Sequence, residues 1–173
     1  MNHFEALQLT PYFILDGTVV RKAFIAIQKT AHPDFGDESD LSELANQAFE
    51  LFKKKEGVVR AFVLMYRPEN ALNANQLPSD FLMEMMELSD LIEESAHLDE
   101  SLKSPENNEA AKELKRWETA LEQELVKLQL EFPESNLQVQ ENLKQLLDAL
   151  IVWYQKSRYI NRLTKNFMGI EEM

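Results

Sequence analysis

The sequence contains no cysteine. That excludes disulfides, thiolate-held zinc or iron–sulfur centres and any cysteine nucleophile. Glycine is limited to four residues and proline to six, too few for a disordered, low-complexity chain and unlike the turn-rich composition of a β-sandwich. No apolar stretch approaches the roughly 20 residues needed to span a bilayer. The opening Met1-Asn2-His3-Phe4-Glu5 lacks the basic-then-apolar pattern of a secretory signal, so a cytoplasmic protein is expected. A Gly-rich phosphate loop is missing, which argues against binding or hydrolysing ATP. His3, His32 and His97 are scattered without metal-ligand spacing, and no nucleophile stands in a recognisable pattern with a base. The expectation is a non-enzyme with no cofactor and no metal. Cations are scarce too: 18 Lys and Arg face 30 Asp and Glu, a net charge of −12. A surface that repels phosphates makes nucleic acid or an anionic membrane an unpromising main partner.

What the chain does have is helix formers. Leu, Glu, Lys, Gln, Ala and Met dominate most of its length, and the apolar spacing is helical throughout. Phe4, Leu7 and Leu9 mark a short first helix ending near Pro11. A second runs from about Asp16 to Ala31, with Asp16 as N-cap and Leu15 with Val20 as a hydrophobic staple. Its apolar residues Val20, Phe24, Ile27 and Ala31 lie on one face, and Pro33 disfavours helix at His32. A polar loop follows. Asp40 and Glu43 have the spacing of a capping box ahead of a third helix carrying Leu41, Leu44, Ala45, Ala48 and Phe52. Two such helices joined by a short loop pair antiparallel. A fourth, about Gly57 to Tyr66, packs across their base.

Residues 68–78, with two prolines and three asparagines, read as a linker between a domain over 1–67 and another over 79–173. The second domain shows three helical patterns. The first spans about Ser79 to Leu98, capped by Ser79. The second starts at Ser104-Pro105 with the stripe Ala110, Leu114, Trp117, Leu121, Leu125 and Leu128. The third runs from about Ser135 to Phe167 with Val139, Leu143, Leu146, Leu150, Trp153 and Ile160. Three amphipathic helices with short connections make an antiparallel bundle. The fold class expected is therefore all-α.

In the loop between the paired helices stands His32-Pro33-Asp34. Proline stops the helix from absorbing the loop, leaving an imidazole and a carboxylate presented on a rigid corner. With Phe4-Glu5-Ala6-Leu7 before it and Ala45-Asn46-Gln47-Ala48-Phe49-Glu50-Leu51 after it, the region resembles the J-domain, the four-helix module that engages Hsp70 chaperones. The resemblance implies that His32, Pro33 and Asp34 act on the Hsp70. It also implies that basic residues of the second helix, Arg21, Lys22 and Lys29, face that partner; an ordinary solvated face is the other reading of them. Phe35 follows the tripeptide where J-domains usually place lysine. Ile25 and Ala26 stand where more charge is usual.

Downstream, Leu77-Pro78-Ser79-Asp80-Phe81-Leu82-Met83-Glu84-Met85-Met86-Glu87-Leu88, together with Arg60-Ala61, is similar to the HscB family of J-domain co-chaperones dedicated to iron–sulfur cluster assembly. At about 100° per residue, Phe81, Met85, Leu88 and Ile92 form one stripe. Leu82 and Met86 fall roughly 100–140° away, and Met83 lies further round beside Glu87, Asp90 and Glu94. The helix is apolar over more than its core face requires, which suits a client-docking surface; cover from both neighbouring helices is the alternative. The resemblance implies that Leu82, Met83, Met86, Glu87, Asp90 and Glu94 bind an IscU-like cluster scaffold while the J-domain binds an HscA-like Hsp70. It further implies an aromatic in the last helix, for which Trp153 is the candidate, although Trp153 also lies on the core stripe. Ser89 replaces a residue that is often charged. A J-domain serving another client, or a helical interaction protein with no Hsp70 role, would be compatible with the same residues.

Overall fold

The computed structural model describes residues 1–30, 39–74 and 77–169. Seven α-helices and three short 3-10 helices make up the secondary structure of the described residues. Contacts divide the chain into two units, Met1–Leu72 and Asn73–Met173.

In the first unit, α1 (His3–Ala6) is closed by a capping box: Asn2 Oδ1 accepts the Phe4 and Glu5 amides, and the Glu5 carboxylate accepts the Asn2 amide at 2.9 Å. So short a helix persists because Phe4, Ala6 and Leu7 are buried, with the Phe4 ring 4.9 Å from Phe52. The second helix, α2 (Gly17–Thr30), starts where Asp16 accepts the Thr18 amide at 2.7 Å. That bond, then the one from Val19, holds the Asp16 carboxyl below its ordinary range. Helix α3 (Ser39–Phe52) lies antiparallel to it: Phe24 stacks on Phe49 at 4.2 Å, and Gln28 near one end donates to Asn46 at 3.1 Å. Asp40 lies inside the first turn of α3 and so is not its N-cap. Helix α4 (Lys55–Leu64) packs on α3, and its Val58, Val59, Ala61, Phe62 and Val63 are all buried. Gly57 is required there: a Cβ would overlap the Leu51 carbonyl oxygen. Part of the stretch expected to be a linker is structured, since Glu69–Asn73 is a 3-10 helix with Leu72 buried and Glu69 ion-paired to Arg60 of α4.

The second unit is a three-helix bundle of α5 (Ser79–Glu94), α6 (Glu109–Glu131) and α7 (Gln140–Met168). Helices α5 and α6 run antiparallel: Phe81 meets Trp117 edge-on at 5.1 Å near one end, and at the other Asn108 Nδ2 donates to Ser95 Oγ at 3.0 Å. Two start signals differ from the sequence reading. Pro78 is the N-cap of α5 and makes no side-chain bond, so Ser79 is its first residue. Helix α6 is capped by Asn108, whose Oδ1 accepts the Ala111 amide at 3.1 Å, while Ser104 anchors a preceding turn. Asn108 wins because its side chain serves the helix start and the Ser95 hydroxyl together, a tertiary bond that Ser104 does not make. The α7 stripe is buried from Leu146 onward, but Val139 is the N-cap and 55% exposed. The far end of α7 closes on Gly169 at φ 70°, and Lys103 Nζ donates to the Phe167 carbonyl at 3.3 Å.

Candidate functional site

On the first unit, the candidate surface is the outer face of α2. Val20 and Ile27 face the core, so Arg21, Lys22 and Lys29 point to solvent. Ile25 sits one turn from each of them on the same outward arc and is 42% exposed. The face therefore combines three cations with an uncovered aliphatic side chain. His32, Pro33 and Asp34 lie outside the described residues.

On the second unit, the candidate surface is built by α5. Phe81, Met85, Leu88 and Ile92 are buried, and Met85 is fully so. The next residue, Met86, is 68% exposed and Met83 is 65% exposed. Leu82 is half-buried; Glu87, Asp90 and Glu94 are exposed around them. Cover of Met86 by neighbouring helices is thus ruled out within this unit. The α6 side of α5 is held by Arg116, which pairs with Glu84 at 3.3 Å and Glu113 at 2.8 Å. The Glu113 hydrogen bond first, then Glu84, raises the Arg116 guanidinium against an opposing desolvation effect. Glu84 is thereby occupied within the bundle, whereas Glu87, Asp90 and Glu94 have no ion pair with another described residue.

Trp153 does not belong to this surface. It is 3% exposed, and its indole N–H donates to the Leu121 carbonyl at 2.8 Å. The helical period turns it into the α6–α7 core. The aromatic that α7 brings to α5 is Tyr159, half-buried, its ring edge-on to Phe81 at 6.0 Å and covered by the Arg162 guanidinium at 4.5 Å. Tyr159 escaped the sequence reading because it lies off the apolar stripe. The signal available was its flanking arginines, Arg158 and Arg162, which place it on the edge of the buried face.

No group of His, Cys, Asp or Glu among the described residues is arranged to hold a metal ion, and no described helix is long and apolar enough to cross a membrane.

No protein-family model matches the chain. Curated relatives do. A co-chaperone protein HscB homolog from Vibrio vulnificus is 34% identical over 109 residues, covering 56% of this chain and 63% of that protein, a little under two thirds of its length. The homolog from Vibrio parahaemolyticus is 32% identical over 139 residues, 72% of this chain and 80% of the relative. Among solved structures, chaperone HscB from Vibrio cholerae superposes with a TM-score of 0.63 at 21% identity, over 98% of this chain and 97% of that one; the likeness supports the fold. With these relatives, the all-α chain falls among the J-domain proteins. The chain belongs to the HscB co-chaperone family.

Proposed function

We propose that this protein is a non-enzymatic adaptor of iron–sulfur cluster assembly, stimulating the ATPase of a dedicated HscA-like Hsp70 and delivering an IscU-like cluster scaffold to it. The observation that carries the reading is the split between Met85 and Met86: consecutive methionines of α5, one fully buried and one 68% exposed. A helix already anchored by four buried residues gains nothing for its own fold from Met83 and Met86 standing in water. As a docking surface they supply adaptable apolar contact, with Leu82 beside them and Glu87, Asp90 and Glu94 as a charged rim that selects a partner of opposite sign. Tyr159 takes the place of Trp153 as the aromatic of that surface, being half-exposed where Trp153 is core.

At the other end, His32, Pro33 and Asp34 form the contact that biases the Hsp70 toward its hydrolysing state, a population shift that needs no catalytic group in this chain. Arg21, Lys22 and Lys29 supply electrostatic steering, and Ile25 an apolar contact in their midst. The two roles divide between the units, Met1–Leu72 for the Hsp70 and Asn73–Met173 for the client. Carrying both sites in one chain raises the effective concentration of client at the chaperone.

The test is the steady-state ATPase rate of the Hsp70 with and without scaffold. Asp34→Asn or His32→Gln removes stimulation while helicity and scaffold affinity stay at wild-type values. Full stimulation by either variant would refute the role of the tripeptide.

A further inference from the structure

A second charged surface lies on α7, opposite in sign to the rim of α5. Arg158, Arg162 and Lys165 stand at i, i+4 and i+7, within an outward arc of roughly 60°. All three are exposed, and none forms an ion pair with another described residue. The stripe is locally basic in a chain of net charge −12, where carboxylates outnumber cations 30 to 18. By contrast, Arg116 of α6 is clamped by two glutamates, and Lys156 of α7 pairs with Glu124 at 3.0 Å. On the stripe, Arg158 lies over Tyr154 at 5.8 Å and Arg162 over Tyr159 at 4.5 Å. A guanidinium held over a ring still has N–H groups to offer a planar acceptor and loses less side-chain freedom on binding.

The stripe adjoins α5. Tyr159, under Arg162, touches Phe81 of α5, and the Gln155 side chain one turn earlier donates to the Ala74 carbonyl just before that helix. On α5, the edge turned toward α7 is the one bearing Leu82 and Met86, because Glu84 and Ser95 on the opposite edge face α6. The apolar client surface thus has acidic residues along α5 on one side and a basic stripe along α7 on the other.

We infer that Arg158, Arg162 and Lys165 are a second half of the client site and bind a carboxylate-bearing segment of the scaffold protein, so that the client must present cations to α5 and carboxylates to α7. This rests on the client-docking role proposed for α5 and adds the polarity of the partner. Two rims of opposite sign fix the direction in which the client lies across the seam, because the reversed pose sets like charges together.

The experiment is calorimetric titration of the full chain with the cluster scaffold protein at low and high salt. Arg158→Glu combined with Arg162→Glu weakens binding by roughly tenfold at low salt. The difference shrinks toward none at about 1 M salt, where screening acts within about 3 Å. Arg162→Lys recovers most of the loss of Arg162→Glu, and Hsp70 stimulation without scaffold stays unchanged in every variant. Wild-type affinity of the double reversal at low salt overturns the inference, and so does a loss that salt leaves untouched. In either case, weakening by Leu82→Ala with Met86→Ala keeps the α5 docking role standing; its failure to weaken binding removes that role as well. Stripe-dependent binding to phosphatidylglycerol vesicles with unaltered scaffold affinity also overturns the inference.

Discussion

Met85 and Met86 are chemically identical neighbours, and their truncation to alanine separates folding from docking. Met85 is 0% exposed. Removing three of its side-chain heavy atoms leaves a cavity among α5, α6 and α7, and such a change in a closed core costs about 2–5 kcal/mol. For a domain near 100 residues that lowers the melting temperature by roughly 4–8 °C per kcal/mol. Met86, 68% exposed, has lost little surface to water on folding, so Met86→Ala changes stability by no more than about 0.5 kcal/mol. If it sits in the centre of the client contact, the same truncation costs more than about 1 kcal/mol of binding, a factor of five or more in Kd. Urea denaturation followed by circular dichroism gives the first pair of numbers, and titration with the cluster scaffold gives the second. The reasoning is refuted if Met86→Ala destabilises the fold as much as Met85→Ala, or if it leaves scaffold affinity at the wild-type value.

Two further outcomes follow from the first unit. Gly57→Ala places a methyl group onto the Leu51 carbonyl, forcing α4 away from α3, and loses about 1–3 kcal/mol in equilibrium denaturation; a neutral result would mean that the two helices are not so closely packed. The lowered Asp16 carboxyl gives an acid-side signature. Its contribution to α2 is complete above the ordinary value of 3.8 and disappears as pH falls through the lower folded value. Asp16→Asn retains a capping oxygen without the titration, so its urea midpoint loses that part of the pH dependence; identical profiles for both proteins would contradict the capping geometry.

Much of the fold was legible because periodicity is a local property. The faces Val20–Ile27, Ala45–Phe52 and Leu114–Leu125 recur at helical spacing, and each is buried on that face. Asp16 was readable as a cap for the same reason, since its bonds go to residues two and three positions on. What escaped was set by tertiary partners. Ser104-Pro105 has the better local start signature, yet Asn108 caps α6, because its amide also reaches Ser95, thirteen residues earlier in the chain. The end of the first unit was hidden similarly: Asn-rich residues around Leu72 look like a linker until that leucine is buried and Glu69 meets Arg60. On α5, the wheel separated Met86 from Met85 without help. It also put Trp153 on the core stripe; Tyr159 went unread because it lies off that stripe, and only its packing on Phe81 shows that it meets α5.

The burial of Trp153 against Leu121 and the position of Trp117 beside Phe81 put both indoles of the chain into the bundle and none into the amino-terminal helices. Intrinsic emission excited at the red edge of the absorption band therefore follows the carboxy-terminal unit alone, while ellipticity averages over the whole molecule. Any denaturation in which the two halves melt at different points registers as two non-superimposable curves from one unlabelled sample. Tyr12 and Tyr66 report on the other half only under shorter-wavelength excitation.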